Sequence, residues 1–181
     1  MVFSEEQDAL RIHKVLARRF DRFGLTLHPE KTRLVPFVRP RRDGGGPQPG
    51  TFDFVGFTLY WGLSRRGLWA LKVRTAKSRL TRALQALKEW MARNRHEPIA
   101  AQAQALGLKL RGHYNYYGVP GNSRSISRFQ FEAGKRWKWA LGRRSQQYLT
   151  WARFKKILGR HPLPPARLPP WRHRQLRLAN V

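Results

Sequence analysis

Cysteine is absent from this chain and carboxylates are scarce: Asp and Glu number 10 against 37 Lys and Arg in 181 residues. Without cysteine there is no disulfide framework and no thiolate metal site. Two-metal polymerase or nuclease chemistry needs clustered carboxylates that hold ions about 3.5–4 Å apart. No two Asp residues adjoin, and Asp53, Glu89, Glu97 and Glu132 fall in separate expected elements. Glu5-Glu6 sits at an expected helix start, where the helix dipole accounts for it. The six His show no ligand-like spacing, no nucleophile-elbow motif is present, and Gly44-Gly45-Gly46 is not followed by the Gly-Lys-Ser/Thr of a phosphate loop. The expectation is therefore no metal, no cofactor and no catalytic residue in this chain.

Long apolar runs are also missing. Nothing approaches the ~20 residues of a membrane-spanning helix, and the start, Met1-Val2-Phe3-Ser4-Glu5-Glu6, lacks a signal-peptide layout. These features fit a cytoplasmic protein without a membrane partner.

What the chain has in excess is positive charge, a formal +27. Such a surface repels itself and favours a polyanionic partner. The charge is uneven. Residues 1–53 hold 10 Lys/Arg and 7 Asp/Glu, a net of +3, whereas residues 54–181 hold 27 and 3, a net of +24. The polyanion is therefore expected against the second part. Seven Trp, five Tyr and ten Phe are interleaved with these cations, a combination that suits RNA, whose unpaired bases stack on ring faces. About two thirds of the rings are nevertheless expected in the core, because large aromatics dominate burial.

Residue spacing predicts an α+β chain. Ser4-Glu5-Glu6-Gln7 reads as a capping box for a helix that carries Leu10, Leu16, Phe20 and Phe23 on one face and stops at Gly24. Leu25–Leu27 and Thr32–Val38 read as short strands. Residues 39–51, rich in Gly, Pro and Arg, read as a linker. Residues 52–74 read as a β-hairpin in which Phe52–Leu63 form one strand, Gly56 marks a bulge or a close approach by another backbone, and Arg65 and Arg66 sit at the tip. From Thr75 the pattern is helical: a helix to before Pro98, a second from about Pro98 to Tyr117, a third from Ser123 or Ser125 through Leu141, and a short fourth capped by Thr150 and closed by Gly159. Residues 160–181 read as a basic, Pro-rich extended tail.

Three segments, in order, carry a family resemblance. Phe23-Gly24-Leu25-Thr26-Leu27-His28-Pro29-Glu30-Lys31-Thr32-Arg33 resembles the late palm segment of group II intron reverse transcriptases. Phe52-Asp53-Phe54-Val55-Gly56-Phe57 resembles their primer-grip hairpin, with Val55 where Leu is usual. Leu110-Arg111-Gly112-His113-Tyr114-Asn115-Tyr116-Tyr117-Gly118, with Asn122-Ser123-Arg124, resembles their maturase-specific thumb, or X, domain. Leu149–Phe154 and Pro162-Leu163-Pro164 also resemble the end of that domain.

The resemblance implies a palm remnant over 1–38, a linker over 39–51, a primer-grip-like hairpin over 52–74, a helical thumb over 75–159 and a basic tail over 160–181. The family's catalytic Tyr-x-Asp-Asp would lie just before Met1, so the chain resembles the C-terminal half of an intron-encoded protein. No Cys/His endonuclease segment follows the thumb. The implied function is binding of group II intron RNA to assist splicing, without covalent chemistry in this chain. An alternative is a non-catalytic subunit that completes a reverse transcriptase with a separate fingers–palm chain, and another is a degenerate remnant. The implied RNA contacts are Lys31, Arg33, Arg65, Arg66, Lys77, Arg79, Arg82, Arg111, His113, Tyr114, Asn115, Tyr117 and Arg124, with helix packing the alternative for His113, Tyr114, Asn115 and Tyr117 and a core position equally open to Tyr114 and Tyr117. The implied primer-grip-like residues are Phe52, Phe54, Gly56 and Phe57.

Overall fold

A computed structural model describes residues 3–28, 32–41, 50–144 and 148–168. It is α+β, with five helices and one three-stranded antiparallel sheet. The order is α1 (Glu6–Asp21), β1 (Thr51–Phe54), β2 (Phe57–Leu63), β3 (Trp69–Thr75), α2 (Lys77–Arg93), α3 (Ile99–Tyr117), α4 (Ser123–Arg144) and α5 (Trp151–Arg160). Lys31, most of the linker (42–49) and the end of the tail (169–181) lie outside the described residues.

α1 buries none of its residues. Its N-cap is Glu5, with no side-chain cap bond, so the expected Ser4–Gln7 capping box does not form. The expected stop does: Gly24 takes a positive φ of 66° and the Leu25 N–H returns to the Phe20 carbonyl at 3.1 Å, a Schellman-type closure.

The expected strands Leu25–Leu27 and Thr32–Val38 are not strands; both segments are irregular. Alternating apolar residues make a strand only when a neighbour completes the ladder, and among the described residues none does. The second segment contributes Phe37 instead. Its ring stacks on Trp61 at 5.5 Å and meets Phe52 edge-on at 4.8 Å, against the sheet.

The expected hairpin over 52–74 is a three-stranded meander, β1-β2-β3. The difference lies at Val55-Gly56. Phe54 pairs with Phe57, so Val55 and Gly56 form a two-residue turn rather than a bulge. Both have positive φ, 47° and 83°, the combination a type I′ hairpin turn requires. Gly56 adopts it freely, whereas a β-branched Val does so only under strain. The second turn holds Arg65 and Arg66, both exposed. Ser64 closes it, with its N–H bonded to the Leu68 carbonyl at 2.8 Å and its hydroxyl accepting the Leu68 N–H at 3.1 Å.

The helices follow the sequence closely. α2 starts at Lys77 behind Ala76, and Pro98 is the N-cap of α3 rather than its first turn. Thr150 caps α5 by accepting the Arg153 N–H at 3.3 Å, and α5 continues past Gly159 to Arg160. Leu84, Leu87 and Met91 of α2, Leu106 and Leu110 of α3, Phe129, Trp137 and Leu141 of α4 and Phe154 of α5 form one core. Inside it, the Trp137 indole N–H donates to Gln102 Oε1 at 3.0 Å, and Gln102 Nε2 donates to the Glu97 and Arg95 carbonyls. Every polar atom of that buried amide is thereby used, which fixes the α2–α3 connection against α4.

α1 should therefore exchange its amide hydrogens with solvent as a nearly free helix, while the buried turns of α3 and α4 exchange only on global unfolding. Hydrogen–deuterium exchange read by mass spectrometry checks this; protection of residues 6–21 equal to that of residues 126–141 would contradict it.

Candidate nucleic-acid interface

The first β-turn, the end of α3 and the start of α4 meet at one junction. β3 leads into α2 through Thr75 and Ala76, both almost fully buried. The Ala76 N–H donates to the Gly56 carbonyl at 2.9 Å, tying the strained turn to the first residue before α2. The Tyr116 hydroxyl donates to the Val55 carbonyl at 3.1 Å. A Cβ on Gly56 would stand 3.1 Å from the Tyr117 hydroxyl, so the turn lies directly on α3 and glycine suits both its φ and its space.

Asn122 joins the three parts. It is 1% exposed. Its Oδ1 accepts the Thr75 N–H at 2.9 Å, while its Nδ2 donates to Thr75 Oγ1 at 2.9 Å and to the Tyr117 carbonyl at 2.8 Å. Ser125 Oγ also accepts the Thr75 N–H, at 3.3 Å. One amide thus replaces the backbone partners that the end of a strand and the end of a helix would otherwise lack.

Rings fill the remaining space. Phe57 stacks on Tyr116 at 6.1 Å and meets Tyr117 edge-on at 5.3 Å. His113 packs against Tyr117 at 4.5 Å and stacks on Phe129 at 3.6 Å. Cations rim the junction: Arg79 lies against Gly56, and Arg79 and Arg82 both act electrostatically on the Tyr117 hydroxyl. Burial nonetheless raises the pKa of that hydroxyl, so it stays protonated and able to donate.

Of the residues expected to contact RNA, Lys77, Arg79, Arg82, Arg111, Asn115 and Arg124 are exposed, and Tyr117 is half-buried at the junction. Among the primer-grip-like residues, Gly56 and Phe57 lie in the junction, Phe54 is exposed beside it and Phe52 packs under Phe37. Arg65 and Arg66 do not join this group. They sit beyond the far end of β2, roughly 20 Å away at about 3.3 Å per strand residue. Arg33 is exposed in the irregular segment 32–41.

Two expectations are corrected. His113 and Tyr114 do not face solvent; they are 9% and 4% exposed. At this part of α3 the face that meets α4 carries both, so the imidazole packs on Phe129 and the Tyr114 hydroxyl points to the Pro164 carbonyl, 3.5 Å away. Burial pushes the Tyr114 pKa up to about 12. The wider expectation that most rings lie in the core is also overturned. Among the described aromatics only Tyr114, Phe129, Trp137 and Phe154 are buried, and the rest remain half-buried or exposed. Sequence reasoning gave no separate weight to Asn122 or Tyr116, although a lone Asn in a Gly-rich break between helices is a residue type that bonds to backbone.

Elsewhere the polar groups confirm how little negative charge opposes the cations. Over residues 75–168 Lys and Arg outnumber Asp and Glu twenty to three, and the one ion pair there among the described residues joins Arg136 to Glu132. No group of three or more His, Asp or Glu that could hold a metal occurs among the described residues. No helix among them is long and apolar enough to cross a membrane.

The buried imidazole gives a pH prediction. Burial lowers the His113 pKa from 6.5 to about 4, and its Nε2 has no partner among the described residues. Between these values the unfolded chain takes up a proton that the folded chain refuses. Stability should therefore fall as pH drops from about 6.5 towards 4, by up to about 3 kcal/mol, and change no further through this group below that. Urea unfolding across this range checks it, with His113→Phe losing most of the dependence; an identical pH profile for the variant would contradict it.

Comparison of the chain with protein-family models, with curated proteins and with solved structures finds no match in any of the three.

Proposed function

We propose that this chain is an RNA-binding fragment of the maturase type, which binds group II intron RNA and stabilises its splicing-competent fold without a covalent step of its own. The observation that carries this is spatial. The segment that resembles the primer-grip hairpin, 52–57, and the one that resembles the thumb domain, 110–118 with 122–124, lie far apart in sequence yet share one junction through Val55, Gly56, Tyr116, Tyr117 and Asn122. The later resembling segment 162–164 touches the 110–118 segment, since the Pro164 carbonyl accepts from the Tyr114 hydroxyl at 3.5 Å as well as from Gln130 Nε2 on α4 at 2.9 Å.

The physical basis of binding is counter-charge. A folded intron packs phosphates closely, and a surface with twenty cations against three carboxylates over 75–168 offsets their repulsion while releasing condensed counterions. The cleavage and ligation would belong to the RNA. Lys77, Arg79, Arg82 and Arg111 are the proposed phosphate contacts; Asn115, Tyr117 and Arg124 flank them.

A second reading is supported by α1. Leu10, Ile12, Val15, Phe23 and Leu25 are all exposed in and just after that helix, as a palm remnant separated from a fingers–palm chain would leave them. On this reading the chain completes an RNA-directed DNA polymerase in trans. Complementary DNA synthesis on addition of a fingers–palm partner would support it, and none at saturating partner would count against it.

The leading proposal predicts tighter binding to folded intron RNA than to random RNA or duplex DNA, all weakening steeply with salt. Replacing Lys77, Arg79 and Arg82 with Ala should lower the log–log salt slope by about 1 for each phosphate that is no longer neutralised. Filter binding across a salt series measures both quantities. Equal affinity for all three nucleic acids would leave only non-specific charge and overturn the proposal.

A further inference from the structure

Away from the junction, on the opposite end of the bundle, α2, α4 and the entry to α5 enclose a groove of about 660 Å³. That volume lies in the range, roughly 300–1,000 Å³, of concave sites for small ligands. Met91, Ala92 and Ala140 are among its apolar lining residues. Its aromatic walls are Trp139, Tyr148 and Trp151, which are 58%, 78% and 47% exposed.

The cations here are held in an unusual way. Lys138 is only 9% exposed. Its ammonium lies 4.8 Å from the Tyr148 ring centroid and 5.0 Å from that of Trp151, within the reach of a cation–π contact. No carboxylate pairs with it among the described residues. Arg95 Nε is buried in the same wall and has no hydrogen-bond partner among the described residues. Arg143 lies 4.2 Å over the Trp139 ring. The one carboxylate in the lining, Glu132, is already engaged by Arg136.

A buried lysine and a buried, unpartnered guanidinium Nε without a counter-ion call for an anion, and three exposed rings beside them call for a flat, apolar partner. A nucleotide supplies both. We infer that this groove binds an unpaired nucleotide of single-stranded RNA, its base stacked on Tyr148 or Trp151 and its phosphate taken by Lys138 with Lys135 or Arg95. The site rests on the reading of the polyanion as RNA, and is separate from the junction. An acidic peptide would satisfy the cations but leave the rings bare. A duplex would offer phosphates but no free base face, because its bases stack on one another.

The test uses the full chain and a short single-stranded RNA carrying 2-aminopurine, with the same strand in a duplex and polyglutamate as comparisons. Tyr148 lies outside any helix, so Tyr148→Ala leaves the core in place; Trp151→Ala and the ring-preserving Trp151→Phe complete the set, with melting temperature as the check on folding. Stacking of one base predicts a loss of single-strand affinity of about 5- to 100-fold in the Ala variants, with Trp151→Phe close to the parent. Duplex affinity should change less than about twofold on the same scale, and 2-aminopurine emission should be quenched by the parent but not by the Ala variants. Equal losses on strand and duplex, no loss in either Ala variant, or polyglutamate competing as well as RNA would each overturn the groove as a nucleotide site. None of those results touches the preference for intron RNA over random RNA, on which the proposed function stands or falls.

Discussion

One buried amide carries more of this architecture than any other side chain. Asn122 sits where a strand ends, a helix ends and another helix begins, a place where backbone groups lose their regular partners. Its acceptor takes the Thr75 N–H and its two donor bonds go to Thr75 Oγ1 and the Tyr117 carbonyl. Without it the Thr75 N–H would keep only the longer bond to Ser125 Oγ and the Tyr117 carbonyl only the Val119 N–H, while the Thr75 hydroxyl would lose its donor, at a cost of about 1–3 kcal/mol for a buried polar group left unpaired. The amide thus makes the sheet and the helical bundle one body, and it sets the direction in which β3 delivers the chain into α2. The direction of α2 in turn decides where Arg79 and Arg82 stand relative to the turn at Gly56.

The same constraint explains the strain at Val55. A two-residue turn there must have positive φ at both positions, and Val accepts it at a cost of order 1–3 kcal/mol. Tyr116 and Ala76 hold the turn from both sides by bonds to the Val55 and Gly56 carbonyls. A turn gripped in this way presents Phe54 and the adjoining cations in a fixed arrangement. The cations themselves contribute little to the fold, since they find almost no carboxylates to pair with. On the proposed function their repulsion would be offset by phosphate, so that the charge opposing the compact free protein becomes the charge an RNA fold can use.

Much of the fold was legible in residue order. The spacing of Leu80, Leu84, Leu87 and Met91, of Leu106 and Leu110, and of Ile126, Phe129, Ala133 and Trp137 marked three helices, because a single buried face is a local property of a helix. Thr150 marked the fourth for the same local reason. The strands were less legible because a strand depends on its neighbour. Thr32–Val38 alternates as a strand does, yet finds no ladder among the described residues. Val55-Gly56 does not look like a turn, since Val disfavours the required φ, and the bonds from Tyr116 and Ala76 that hold it come from distant segments. The candidate site was legible in its cations, whose exposure follows from charge. It was not legible for His113 and Tyr114, which stand in a motif rich in polar rings but face α4, nor for Lys138, whose burial between two rings depends on how α5 returns to the bundle.

If the sheet and the bundle recognise RNA as one surface, cutting the bond between them should cost recognition as well as stability. The most direct measurement is the ratio of affinities for folded intron RNA and random RNA in Asn122→Ala, made where hydrogen exchange shows the helical core still folded. The account predicts a stability loss of about 2–3 kcal/mol, faster exchange across residues 51–75 and a ratio that falls towards one. A ratio equal to the parent's, with residues 51–75 exchanging freely, would contradict it.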